Sequence, residues 1–126
     1  MKKRIYYHDT DCGQVVYYAN YLKYFEEART EHFAEKGFAI KDLACKGVLF
    51  VVARQEIDYK FPAFYGDVLD IRTAVAEIGA AKIVFEHETL NQNGKLVNKA
   101  KTILVCVDDK LRPQTIPDDL RAKLVG

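Results

Sequence analysis

Tryptophan and serine are absent from the 126 residues, and methionine occurs once. Without serine there is no nucleophile elbow and no Ser-His-Asp triad. No Gly-rich phosphate loop of the GxGxxG or P-loop type occurs, which argues against nucleotide-dependent redox and kinase chemistry. Nowhere is there an apolar run long enough to span a bilayer. Low-complexity segments, charge blocks, Pro/Ser linkers and internal repeats are missing too. The three prolines, Pro62, Pro113 and Pro117, leave long patterns uninterrupted. Cys12, Cys45 and Cys106 are an odd number at wide spacing, with no CxxC pair and no metal-ligand pattern. A net charge of +1, from 19 Lys+Arg against 18 Asp+Glu, supplies no overall field for nucleic acid.

Hydrophobic residues make up 49% and charged ones 29%, enough to bury a core in one domain spanning residues 1–126. Free thiols and an N-terminus that turns polar before an apolar stretch develops fit a reducing, cytoplasmic setting. Tyr18 to Lys36 reads as a helix, with Tyr18, Tyr21, Leu22, Phe25, Ala28, Arg29, His32 and Phe33 on one broad face. Gly37 follows, where a positive φ ends a helix. Beyond Gly47 the period switches to alternation. Val48 to Phe61, Val68 to Glu77, Lys82 to Leu90 and Leu96 to Asp108 read as long strands, and Lys3 to Tyr7 as a first, shorter one.

In the first long strand the odd residues Leu49 to Phe61 form the apolar face, and Val97, Ile103, Val105 and Val107 share a face of the last. Asn93-Gly94 predicts a type I′ hairpin. Pro117 at a first helical position, followed by Asp118 and Asp119, predicts a short C-terminal helix. Short turns make successive strands antiparallel neighbours. The fold class is α+β: a five-stranded antiparallel sheet curved around one long helix.

Several residues can carry chemistry. Asp9 and Asp11 flank Thr10 just ahead of the helix, where exposed N–H groups favour anions. They read either as caps and turn formers or as a general base or nucleophile. His8, His32 and His87 show no ligand or triad spacing and read as ordinary histidines. Cys12 reads as a passive loop thiol, and Glu26 as a local partner of Arg29 or Thr30. Tyr6, Tyr7, Tyr17, Tyr18, Tyr21, Tyr24 and Phe25 fit an acyl pocket or helix-on-sheet packing equally well. Lys82, Lys99 and Lys101 read as a solvated strand face or as partners for ligand phosphates.

The run Tyr7-His8-Asp9-Thr10-Asp11-Cys12-Gly13-Gln14-Val15-Val16-Tyr17-Tyr18, with Asn20-Tyr21-Leu22 and Phe25-Glu26-Glu27-Ala28-Arg29, resembles a known family. It is similar to the 4-hydroxybenzoyl-CoA thioesterase family of hotdog-fold enzymes, and within it to the YbgC-like acyl-CoA thioesterases. Phe50 to Ala63, a strand ending in a Pro-Ala turn, extends the likeness along the chain. The resemblance implies a dimer, or a tetramer built as a dimer of dimers, with active sites between subunits. It implies that Asp11 is the catalytic carboxylate and that the Tyr18 backbone N–H is an oxyanion donor. Tyr17 and Tyr21 are then expected near the acyl group, and Lys82, Lys99 and Lys101 near the phosphates of coenzyme A. Coenzyme A enters as part of the substrate, and no metal or redox cofactor is implied. The YbgC-like branch carries His where this chain has Tyr18, while the benzoyl-CoA branch carries Tyr, so the acyl group stays open. Two other readings remain: an acyl-CoA or acyl-carrier binding module, and a hotdog hydratase or dehydratase.

Overall fold

The computed structural model describes residues 1–125. Five strands form one antiparallel sheet: β1 (Lys2–Arg4), β2 (Leu49–Tyr59), β3 (Val68–Ile78), β4 (Lys82–Leu90) and β5 (Leu96–Val107). Their spatial order is β1-β3-β4-β5-β2. Strand β2 therefore pairs with β5, not with its sequence neighbour β3, because residues 60–67 carry the chain across to the other side of the sheet. This corrects the expectation that all successive strands adjoin. The first strand is also shorter than expected: Tyr7–Asp9 forms a 3-10 turn instead.

The long helix α1 runs from Asn20 to Glu35, about 24 Å at 1.5 Å per residue. It buries Tyr21, Tyr24, Phe25, Ala28, Arg29 and Phe33 against the concave sheet face. Tyr18 and Leu22, expected on that face, are instead 63% and 44% exposed. A short α2 (Ile40–Cys45) was not foreseen, since six residues with one buried side chain, Leu43, show no period. Gly37 takes φ 91°, as a helix-ending glycine should. The C-terminal helix, α3 (Asp118–Val125), starts one residue after Pro117 and closes one end of the core with Leu120 and Leu124.

Two local irregularities revise the facing of residues. At Ala53 the β2/β5 register shifts, which puts Val52, Ile57 and Tyr59 on the helix side and Leu49 and Val51 on the other. On β5, Thr102 bonds the helix residue Arg29 and Leu104 packs beside Phe33, so Ile103 and Val105 lie on the outer face. The Asn91–Lys95 turn has positive φ at Gly94 alone, 77°, with the Asn91 side chain accepting the Asn93 and Lys95 amides. It is a type I turn ending in a bulge glycine, not type I′.

Candidate active site

The two acids of the Asp-Thr-Asp run, equivalent in sequence, occupy opposite environments. Asp9 is buried and Asp11 exposed. A bridge between Thr10 and Val16 closes the segment into a tight loop. Within it the Asp11 amide donates to Val15 O at 3.0 Å, and Asp11 O accepts the Gln14 amide at 2.9 Å. The Asp11 side chain accepts the Gly13 amide on Oδ1 at 2.9 Å. Among the described residues no donor reaches its Oδ2, so one carboxylate edge faces outward. Gln14 turns the chain with φ 64°. Val16 pins the loop to the body by donating to Ala63 O at 2.8 Å.

Past this loop the chain enters α1. The Tyr17 amide donates to Asp9 O at 3.1 Å, and the Asn20 amide to Tyr17 O at 2.9 Å. Between them, the Tyr18 amide meets no acceptor among the described residues. The free amide thus stands just ahead of the positive end of the helix, where an anionic oxygen is favoured. The Tyr59 hydroxyl donates to Tyr18 O at 3.0 Å, which ties this peptide to the end of β2.

Aromatic rings crowd the same corner. Tyr17 and Tyr18 lie 4.9 Å apart, Tyr18 and Tyr59 6.4 Å, and Tyr21 and Tyr59 5.8 Å. Tyr17, Tyr18 and Tyr59 are exposed, whereas Tyr21 is buried against Tyr24 and Phe25. Burial raises the Tyr21 and Tyr59 phenols above the ordinary range, so both stay neutral at physiological pH.

The three lysines do not converge on this corner. Lys82 pairs across the sheet with Val105 and Lys99 with Glu88, six strand positions or about 20 Å apart. Lys82 reaches Glu77 at 3.8 Å. Lys99 and Lys101 project from the outer face into a groove shared with Glu56, Asp58, Glu86 and Glu88. Two ammonium groups among four carboxylates make this groove net negative within one subunit. Glu26 accepts the Thr30 hydroxyl at 3.4 Å, and Cys12 is exposed.

A polar seam under α1 was only half visible in the sequence, which placed Arg29 and His32 on the buried face but not their partners across the sheet. Arg29 donates to the Thr102 hydroxyl at 3.2 Å, and Thr102 donates to Gln55 at 2.7 Å. His87 stacks on Phe25 at 4.6 Å and bonds Thr73 through Nδ1 at 3.0 Å. Burial, reinforced by the positive charge of Arg29, lowers its pKa to about 3. It is a neutral core histidine. Among the described residues no cluster of three His, Cys, Asp or Glu could hold a metal ion, and no helix is long and apolar enough to cross a membrane.

Residues 6–124 match the model of the thioesterase-like superfamily. The chain belongs to this superfamily. Among its relatives, the acyl-CoA thioester hydrolase YbgC of Escherichia coli O6:H1 is 36% identical over 121 residues, covering 95% of this chain and 90% of that protein. The acyl-CoA thioesterase YbgC of Haemophilus influenzae is 40% identical over 121 residues, covering 94% and 88%. The crystal structure of 4-hydroxybenzoyl-CoA thioesterase from Pseudomonas sp. strain CBS-3 superposes with a TM-score of 0.89 at 25% identity, covering 98% and 96%. As a thioesterase-like chain with this sheet order and central helix, the protein has the hotdog fold that its sequence resembles. It is a thioester hydrolase.

Proposed function

We propose that this protein hydrolyses acyl-CoA thioesters to a free carboxylic acid and coenzyme A, with Asp11 as the catalytic carboxylate and the Tyr18 amide as oxyanion donor. The observation that carries the reading is the pairing of an outward-facing carboxylate edge on Asp11 with an amide lacking an acceptor at the start of α1. Two routes use these groups. In one, Asp11 attacks the thioester carbonyl carbon, the C–S bond breaks with the electron pair leaving on sulfur, and water then hydrolyses the mixed anhydride. In the other, Asp11 takes a proton from a water that attacks the same carbon. Either way negative charge builds on the carbonyl oxygen, where losing one oriented donor typically costs about 3 kcal/mol. A thiol of pKa about 8.5 leaves readily as the thiolate, so no strong acid is needed. The exposed Tyr17, Tyr18 and Tyr59 rings offer flat surface to the acyl group.

The oligomer that the family resemblance implies would form along one edge of the sheet. Strand β2 ends the sheet, is 11 residues long, and exposes Val51 and Val52. An open edge of that length, apolar over residues 49–53, is a template for a second strand, and we take it as the line along which two copies join, a tetramer then following as a dimer of dimers.

Free-thiol release from a panel of aliphatic and aromatic acyl-CoA substrates tests the activity. Turnover across part of the panel is expected. Tight binding with no thiol release would replace the enzyme with a binding module, and consumption of enoyl-CoA without thiol release would point to a hydratase. Replacing Lys99 and Lys101 by alanine should raise KM and weaken its salt dependence if the coenzyme A phosphates reach them; an unchanged KM takes the pair out of the site.

A further inference from the structure

Every acceptor of Asp9 is engaged, and the bonds come from three separate places. From its own 3-10 turn, the Tyr6 amide donates to Oδ2 at 2.8 Å. From α1, the Tyr24 hydroxyl donates to Oδ1 at 2.8 Å. From the entry to α1, the Tyr17 amide and the Asn20 side-chain amide donate to its carbonyl at 3.1 and 2.8 Å. The side chain is only 8% exposed. Burying a carboxylate is costly unless it is well bonded, and here a phenol and an amide do the bonding. The His8 ring lies 3.8 Å from Oδ1 and is itself 81% exposed. Burial, and then the bond to Asp9, raise the Tyr24 phenol well above the ordinary tyrosine range, which keeps its proton available for donation.

This arrangement matters because of what lies on either side of it. Asp11 is two residues further along, and the Tyr17 peptide bonded to the Asp9 carbonyl leads directly into the Tyr18 amide. Asp9 is thus the common anchor of the loop that carries the proposed carboxylate and of the turn that carries the proposed oxyanion donor. We propose that Asp9 and Tyr24 are a positioning pair that sets the separation and angle between the Asp11 carboxylate and the Tyr18 amide without touching the thioester. The inference rests on the reading of Asp11 and Tyr18 given above.

A pair that only aligns reacting groups affects the transition state more than substrate docking, and a misplacement of about 1 Å can cost about a hundredfold in rate. Tyr24→Phe removes one hydroxyl and leaves the ring packing in place. Its kcat should fall about ten- to a hundredfold, with KM within twofold of wild type and an unchanged far-UV spectrum. Asp9→Asn, whose amide nitrogen or oxygen must oppose one of its two donors wrongly, should show the same split and serves if Tyr24→Phe fails to fold. Asp11→Asn is run alongside. Unchanged kcat in Tyr24→Phe beside an inert Asp11→Asn would overturn the pair alone. A fall in kcat together with a raised KM and a lowered melting temperature in both Tyr24→Phe and Asp9→Asn would overturn it too, by reducing the pair to a structural bond. Full turnover in Asp11→Asn would remove the reading of the site, and the pair with it.

Discussion

At the scale of single residues, the site depends on how burial sorts side chains that look alike in sequence. Asp9 and Asp11 share a composition and a neighbour, Thr10, yet one is a buried anchor and the other an exposed acid. Spacing alone could not separate them, because the loop that turns Asp11 outward depends on a positive φ at Gln14 and on a bond from Val16 to the distant Ala63. The histidines were more legible: none has triad or ligand spacing, and His87 proves to be a core residue stacked on Phe25.

Burial of His87 makes a prediction about pH. Its folded pKa, about 3, lies below the unfolded value near 6.5, so only the unfolded chain takes up this proton over that interval. The stability it contributes is fully present above about pH 6.5 and is lost as pH falls toward 3, by roughly 1.4 kcal/mol per unit. His32, also lowered mainly by burial, acts in the same direction. Urea unfolding at pH 7 and pH 5 should therefore show marked weakening at pH 5, with a shallower loss in His87→Phe. Equal slopes in the two proteins would show that His87 is not the group responsible.

At the scale of elements, the amphipathic stripe of α1, the terminating Gly37 and the four long strands could be read directly, since their periods of 3.6 and 2 persist over many residues. Details that depend on distant partners could not. The helix begins at Asn20 rather than Tyr18 because Tyr17 is drawn to Asp9 by a backbone bond, and this leaves the Tyr18 amide free. The bulge at Ala53 interrupts the alternation of β2, turning a continuous-looking apolar face into two half-faces on opposite sides. The pairing of β2 with β5 rests on a crossing connection that no local pattern encodes.

The β4–β5 turn gives a prediction at this scale. Gly94 has φ 77°, and a Cβ there would meet nothing within 4 Å. Gly94→Ala should then cost only the left-handed backbone penalty, about 1–2 kcal/mol, with hydrolysis at 25 °C unaffected. A loss above about 4 kcal/mol in denaturant unfolding, a size that calls for packing damage, would contradict this account of the turn.

At the scale of the whole molecule, the near-balance of charge and the lack of nucleotide-binding loops narrow the function in the sequence itself, and the hotdog architecture follows from one long helix having one sheet to cover. The open edge of β2 sits at the same end as the site, for Tyr59 on that strand bonds Tyr18. Placing a charge on the edge, as in Val52→Lys, should therefore shift the protein toward monomer in light scattering and reduce hydrolysis with it. A monomer with undiminished activity would separate the site from the interface.

An exposed acid on the loop and a free amide at the helix entry are together proposed to cleave the thioester. Steady-state release of coenzyme A by Asp11→Asn tests this most directly, on protein matched to wild type in melting temperature and oligomeric mass. Loss of turnover with substrate binding retained is the predicted result, and release at the wild-type rate would contradict it.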